Sequence, residues 1–176
     1  MSRHVDAAEE FTEFATTNAH RLRWTALLLC GDWHTAQDLT QITLASVFLA
    51  WHRIGPDAVP AYAHRTLVNS YLAVKRKRSE SELPVAVPRE RPAPAHMTEL
   101  RLVLLEALAT LTPKARAVVV LRYWEDPSIG QVAEVLGCSA GTVKSQGARA
   151  LDKLRAHLGE SFTELCSSAD QRRPPG

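Results

Sequence analysis

Several features that would assign this chain of 176 residues to other protein classes are missing or scarce. No apolar run approaches the ~20 residues that span a bilayer. The N-terminal stretch MSRHVDAAEEF is acidic and lacks the apolar core of a signal peptide. We therefore expect a cytoplasmic protein that does not enter a membrane.

Cysteine is rare and poorly placed for disulfides or for a metal. Cys30, Cys138 and Cys166 are odd in number, far apart and outside any CxxC pair. This usage fits a reducing compartment better than a disulfide framework. Cys30 and His34 share a helical face, but a lone pair falls short of the three or four protein ligands of a zinc site. The sequence predicts no metal site and no cofactor.

Catalytic patterns are also missing. The seven histidines are scattered, and none stands at a recognisable catalytic spacing from a serine, a cysteine or a carboxylate. Lys+Arg (21) and Asp+Glu (19) nearly balance, so only the local distribution of charge can indicate a nucleic-acid partner. We predict no catalytic residue, no small-molecule substrate and no enzyme activity, and measurable turnover would contradict this.

Helical periodicity, by contrast, runs along most of the chain, and no strand-like alternation of useful length interrupts it. Capping residues stand where helices should begin, with Asp32 or Thr35 before the second helix and Thr112-Pro113 before a later one. Amphipathic helices are predicted near residues 6–29, 34–53, 61–78 and 97–110, and from Pro113 onward. The helix from Pro113 is expected to bury Val118, Val119, Leu121, Tyr123 and Trp124.

A proline-rich segment divides the chain. Residues 79–96 contain four prolines and no periodicity, which is typical of a linker. We predict an all-α protein of two small helical domains, residues 1–78 and 97–160, joined by this flexible linker and followed by a flexible tail at 161–176. An extended linker of this length, at ~3.1 Å per residue, would let the domains touch one duplex more than a helical turn apart.

The most informative stretch, Ser128–Leu158, predicts two helices joined by a tight turn. One face of the first helix is apolar at Ile129, Val132, Ala133 and Leu136. Gly137 can adopt the positive φ that ends a helix, and Ser139 can cap the next one. Small side chains at Ala133 and Gly147 should let the two helices cross closely. The pattern indicates a helix-turn-helix, and the alternative is an ordinary helical hairpin with a solvated basic face.

The second of these helices has an apolar back and a polar, basic front. Lysine and arginine reach phosphates and guanine edges, while serine, threonine and glutamine reach other base edges. We predict that the front binds DNA through Ser139, Thr142, Lys144, Ser145, Gln146 and Arg149. A second basic site ends the third predicted helix at Lys75–Arg78. Four consecutive cations exceed the need of a helix dipole and favour phosphate contact over a solvated helix end.

These motifs resemble those of bacterial extracytoplasmic-function (group IV) sigma factors of the sigma-70 family, the promoter-recognition subunits of RNA polymerase. The resemblance covers about residues 10–158, and the actinobacterial subgroup is the most similar. The matching strings are Gly31-Asp32 with Ala36-x-Asp38-Leu39-x-Gln41, Tyr62-Ala63-His64-Arg65-x-Leu67-x-Asn69, Leu111-Thr112-Pro113-x-x-Arg116-x-Val118, and Val132-Ala133-x-x-Leu136-Gly137-x-Ser139. Ile42 and Ser46 depart from the family, which usually has an acidic and a basic residue there.

The resemblance implies a role for each domain. The first domain would bind core RNA polymerase through Asp38, Leu39 and Gln41. It would bind the minus-ten promoter element through Arg65, Asn69, Lys75, Arg76, Lys77 and Arg78. The front of the helix-turn-helix would bind the minus-thirty-five element. Core RNA polymerase and promoter DNA are the implied partners, and an anti-sigma factor is a further candidate.

A stand-alone helix-turn-helix regulator is the alternative function. Such a protein would bind duplex promoter DNA by itself, commonly as a dimer. The second predicted helix and the basic third helix would then have no assigned role. Dependence on core polymerase discriminates between the two hypotheses.

Overall fold

The computed structural model describes residues 2–81 and 99–159, and within these ranges the chain forms α-helices and no strand. The all-α prediction is therefore confirmed. Most of the predicted linker and the whole predicted tail lie outside the described residues. The helices are α1 Ser2–Cys30, α2 Trp33–Ala50, α3 Val59–Ser81, α4 Glu99–Ala109, α5 Pro113–Val119, α6 Ile129–Leu136 and α7 Ala140–Leu158.

Helices α1 to α3 form the N-terminal unit. Gly31 ends α1 with a φ of 75°, a conformation that favours glycine, and Asp32 then caps α2 by accepting from the Thr35 amide at 2.9 Å. A short 3₁₀ turn, Pro56–Ala58, precedes α3. Helix α3 continues to Ser81, three residues into the segment that the sequence assigned to the linker.

Helices α4 to α7 form the C-terminal unit. Thr112 caps α5 by accepting from the Ala115 amide at 3.3 Å, and Pro113 occupies the first turn, as predicted. Helix α5 then continues as a π-helical segment, Val120–Glu125. The prediction that Tyr123 and Trp124 are buried is wrong, since their exposed fractions are 55% and 46%. Hydrogen bonding from i to i+5 changes the angle between successive side chains, so Glu125 faces inward instead.

Local capping shapes the helix-turn-helix. Ser128 and Gln131 form a reciprocal capping box at the start of α6. Gly137 ends α6 with a φ of 61°, and Ser139 accepts from the Thr142 amide at 3.1 Å to begin α7. The expected role of Gly147 needs correction, because a Cβ placed there would meet Val118 Cγ1 of α5 at 3.6 Å rather than α6.

The two units pack against each other. Helix α1 contacts α4, α5 and the π-helical segment, and α3 contacts α5 and α6. Arg101 of α4 lies over the Trp24 ring of α1, 4.4 Å from its centre. Each unit contributes apolar side chains to the core, among them Leu39, Leu67, Val118 and Val132. No helix among residues 2–81 and 99–159 is long and apolar enough to cross a bilayer. The same ranges hold no group of three or more potential metal ligands.

Candidate nucleic-acid interface

Helix α7 presents the predicted polar front to solvent. Lys144, Ser145 and Arg149 are exposed, whereas Thr142 and Gln146 are half-buried. The hydroxyl of Ser139 is occupied by the cap and lies 2.9 Å from the Thr142 hydroxyl. Ser139 and Thr142 therefore fix the beginning of α7, while the three exposed side chains are the ones placed to reach a groove.

The opposite face of α7 fixes how this front is presented. Val143, Gly147, Ala150 and Leu154 are buried against the rest of the C-terminal unit. The apolar back predicted from the sequence is thus confirmed at these four residues, while Leu151, which the periodicity places on the same face, is half-buried. A helix held by one face keeps its other face in a constant orientation, which positions Lys144 and Arg149 on a rigid element.

The candidate residues of α3 do not lie on a single face of the helix. Successive residues of an α-helix are turned by about 100°, so the four cations of Lys75–Arg78 point around most of the helix. Arg65, Asn69 and Arg76 are exposed and share one stripe, at i, i+4 and i+11. Lys75 is half-buried, with Nζ 6.0 Å from the centre of the Tyr71 ring.

Arg65 of α3 contacts the C-terminal unit. Its Nη2 atom donates to the Glu134 carbonyl oxygen of α6 at 2.9 Å and lies 3.8 Å from Glu134 Oε1. The side chain is 49% exposed, so the contact is open to water. The structure therefore places one predicted minus-ten residue against the helix-turn-helix.

Helix α2 carries the residues predicted to bind polymerase. Asp38 and Gln41 are exposed, but Leu39 is 1% exposed and lies in the core. Leu39 therefore cannot contact a partner in this state and instead anchors the helix. Ile42 and Leu49, which sequence reasoning did not assign to a site, are 49% and 76% exposed on the same stripe as Asp38. Apolar side chains on a face of α2 that is otherwise polar were the sequence signal that could have assigned them to a site.

Sequence reasoning also missed a buried carboxylate. Glu125 at the end of the π-helical segment has a side chain that is 0% exposed. Arg21 Nε lies 2.8 Å and His64 Nε2 3.2 Å from its Oε2 atom, and the Thr25 hydroxyl donates to Oε1. We call these four residues the carboxylate cluster. Burial raises the pKa of Glu125, but His64, Thr25 and Arg21 outweigh it and hold the pKa below the ordinary value.

A buried arginine also lies between the two units. Arg116 is 4% exposed and donates through Nε to the Leu28 carbonyl oxygen at 2.5 Å. Its Nη2 atom has no hydrogen-bond partner within the described part of the chain. Burial lowers the pKa of Arg116 and raises the pKa of the neighbouring Tyr71 to about 12.

Two family profiles match the chain, one for each unit. Residues 14–80 match sigma-70 region 2, and residues 101–154 match sigma-70 region 4. The RNA polymerase sigma-E factor of Streptomyces coelicolor is 38% identical over 152 residues, covering 85% of this chain and 86% of that protein. The ECF RNA polymerase sigma factor SigE of Mycolicibacterium smegmatis is 32% identical over 172 residues, covering 93% and 67%.

A solved structure shares the arrangement of the helices. It is the sigma factor RpoE of Bartonella quintana in complex with the anti-sigma factor NepR. The TM-score is 0.70 at 25% sequence identity, and the alignment covers 86% of this chain and 98% of that one.

Proposed function

Because this chain belongs to the sigma-70 family of RNA polymerase sigma factors, we propose that its three exposed faces divide the work of promoter recognition. Its function is promoter-specific transcription initiation together with core RNA polymerase. Sigma factors are regulatory proteins rather than enzymes. A stand-alone regulator would leave the region 2 match at residues 14–80 without a role.

The front of α7 reads the minus-thirty-five element. The observation that carries this proposal is the rigid placement of Lys144, Ser145 and Arg149, exposed on a helix whose other face is buried. Arginine and lysine recognise guanine edges in the major groove, and each good bidentate pair contributes ~1–3 kcal/mol of discrimination. Ser139 and Thr142 support the front by fixing its first turn, and Gln146 adds a half-buried polar side chain beside it.

The stripe of α3 binds the minus-ten element. Arg65, Asn69 and Arg76 share one exposed face, which suits contact with a strand that runs along the helix. Lys75, Lys77 and Arg78 add positive charge around the helix end, which suits phosphates on more than one side. This arrangement supports contact with the DNA backbone from several sides of α3 rather than from one flat surface.

The exposed stripe of α2 binds core polymerase. Asp38 and Gln41 supply polar contacts, and Ile42 and Leu49 supply the apolar surface that a stable interface needs at its centre. The proposal places the protein in the cytoplasm with the polymerase. An anti-sigma factor is a further proposed partner, since the similar Bartonella protein was crystallised with one.

Run-off transcription on promoter fragments tests the function, with core polymerase in the presence or absence of the full chain. We expect promoter-specific transcripts only when the protein is present. Direct binding of the free protein to duplex DNA without any transcript would instead establish a stand-alone regulator.

Two arginines of α7 give a matched test of the reading face. Arg155 lies about 240° around α7 from Arg149 and pairs with Asp152 at 3.1 Å. Arg149→Ala should weaken holoenzyme binding to the upstream element by ~1–3 kcal/mol, whereas Arg155→Ala should not. Equal losses in both variants would show that only charge matters there.

The polymerase face has its own test. Leu49→Arg should weaken binding to core polymerase, measured by fluorescence anisotropy, without loss of helicity because Leu49 is 76% exposed. Unchanged affinity would remove Leu49 from the interface.

A further inference from the structure

The C-terminal unit has an open groove beside its proposed DNA-binding front. This α7 groove lies between the π-helical segment, the start of α6 and the middle of α7, and its volume is about 310 Å³. Pockets that hold ligands begin at about this size, with a range of ~300–1,000 Å³. Its apolar lining includes Tyr123, which is 55% exposed, and the half-buried Ile129 and Leu151. The α7 groove therefore offers apolar surface to an occupant.

The lining of the α7 groove is also positively charged. Arg122, Lys144 and Arg155 belong to it, together with one carboxylate, Asp152. Asp152 lies 3.1 Å from Arg155, and Arg122 lies 3.4 Å from Asp126. Lys144 is exposed and is shared with the proposed DNA-binding front. An occupant that combines apolar side chains with a carboxylate would suit this lining.

The sequence that directly follows α7 has this composition. Residues 160–166 read ESFTELC, and residues 160–176 lie outside the described part of the chain. Phe162 and Leu165 are the two large apolar residues of this stretch, and Glu164 stands between them. The segment therefore complements the α7 groove in both charge and apolar character.

The end of α7 leaves this segment within reach of the groove. Gly159 ends the helix with a φ of 56°, so the chain leaves the helix axis there. Along α7, at 1.5 Å per residue, Leu151 lies ~12 Å and Lys144 ~22 Å before Gly159. In extended chain, at ~3.3 Å per residue, Phe162 lies ~10 Å and Glu164 ~17 Å after it. Phe162 can therefore reach Leu151. Glu164 can reach the Lys144 ammonium group because both side chains are long.

We propose that residues 160–166 dock in the α7 groove, with Phe162 against Leu151 and Glu164 beside Lys144, and that the docked segment competes with DNA for Lys144. A carboxylate beside Lys144 occupies the ammonium group and repels phosphates. The competition rests on the proposed minus-thirty-five role of α7. The docking itself depends only on this chain.

Nuclear magnetic resonance of the full chain, without polymerase or DNA, tests the docking. We expect nuclear Overhauser contacts between the ring protons of Phe162 and the methyl protons of Leu151 and Ile129. Phe162→Ser should abolish these contacts and shift both methyl resonances, whereas Thr163→Ser, the control in the same segment, should retain them. Absence of the contacts in the wild type would overturn the docking. Contacts seen only between differently labelled molecules would also overturn it, since the occupant would be a second copy.

A charge exchange tests the pairing of Glu164 with Lys144. Lys144→Glu should weaken the Overhauser contacts of Phe162, because two carboxylates would then face each other. Addition of Glu164→Lys to this variant should restore them, and failure of the restoration would overturn the pairing. Circular dichroism verifies that all variants retain their helicity.

Promoter binding by the holoenzyme tests the competition. Glu164→Gln should bind promoter DNA about two- to fivefold more tightly than the wild type, the effect of one exposed ion pair. Asp170→Asn, which removes the same charge farther along the chain, should bind as the wild type does. Equal gains in both variants, or no gain in Glu164→Gln, would overturn the competition. Absence of promoter binding by the wild type would overturn the proposed function and leave the Overhauser result unaffected.

Discussion

Replacing Gly147 of α7 by alanine should stabilise the C-terminal unit. Gly147 lies in the interior of α7 and is buried against α5. A Cβ at this position would lie 3.6 Å from Val118 Cγ1, an ordinary van der Waals distance, so the methyl group fits without movement of either helix. The glycine is therefore not required by the close approach of the helices, and its removal should leave the fold unchanged.

The magnitude follows from two contributions. Alanine is about 1 kcal/mol more favourable than glycine in a helix interior. Burial of the added methyl group contributes up to about 0.8 kcal/mol. The expected gain is about 1–2 kcal/mol, which corresponds to roughly 5- to 25-fold in an opening equilibrium.

Gly137→Ala is the matched control within the same unit. Gly137 has a φ of 61°, where an L-residue is strained by roughly 1–2 kcal/mol, and a Cβ added there would meet no atom within 4 Å. The same chemical change should therefore destabilise the unit at Gly137 and stabilise it at Gly147. Neither variant alters Lys144 or Arg149, so the proposed DNA-binding front is retained.

Hydrogen exchange of the α5 and α7 amides in the full chain measures both effects, because it reports on this unit separately. Protection of these amides should rise about 5- to 25-fold in Gly147→Ala and fall in Gly137→Ala. A fall in protection for Gly147→Ala would refute the reasoning. It would show that the space between α5 and α7 cannot hold a methyl group 3.6 Å from Val118 Cγ1.

Three further predictions concern the buried groups and a cap. The wild type should have a larger free energy of unfolding than Glu125→Gln, and urea unfolding measures this difference. The difference should be fully present above the ordinary glutamate pKa of 4.5 and should be lost as the pH falls through the lower pKa of Glu125 in the folded protein. Because the pKa of Tyr71 is raised from 10.0 to about 12, the free energy of unfolding should decline across that interval, and Tyr71→Phe should reduce the decline. Equal alkaline losses in both proteins would contradict this. Ser128→Ala should destabilise α6 by about 1 kcal/mol, since it removes the acceptor for the Gln131 amide at 3.2 Å; unchanged exchange of the α6 amides would count against the cap.

The features that could be predicted from the sequence are those set by neighbours along the chain. Asp32, Thr112 and Ser139 cap helices because each side chain reaches an amide three residues ahead. Gly137 ends α6 for an equally local reason, since its φ is positive. The polar front of α7 follows from a helical period that no distant contact overrides.

The features that could not be predicted depend on residues far apart in the chain. Arg21 and Glu125 are separated by 104 residues, and no periodicity of either segment indicates that they meet. The π-helical segment is a second case, since its backbone bonding rather than its composition turned Tyr123 outward and Glu125 inward. Arg116 could be recognised as part of a motif but not as a buried cation, because its partner oxygen belongs to α1.

The hydrogen bond from Arg116 to the Leu28 carbonyl has a consequence for the end of α1. This carbonyl is among the last four of the helix, which lack partners within it, and the last turn of α1 has no basic residue of its own. Arg116 therefore supplies the positive charge that complements the dipole of a helix in the other unit.

The turn that follows is shaped around the same guanidinium group. Gly31 has a φ of 75°, and a Cβ there would lie 3.4 Å from Arg116 Nη2. This turn leads directly into α2, which carries Asp38 and Leu49. For any partner whose affinity for α2 depends on this turn, binding and the separation of the two units are thermodynamically linked, and linkage is reciprocal. A partner that binds α2 more tightly when Arg116 has left will drive the units apart, and their separation will raise its affinity by the same factor.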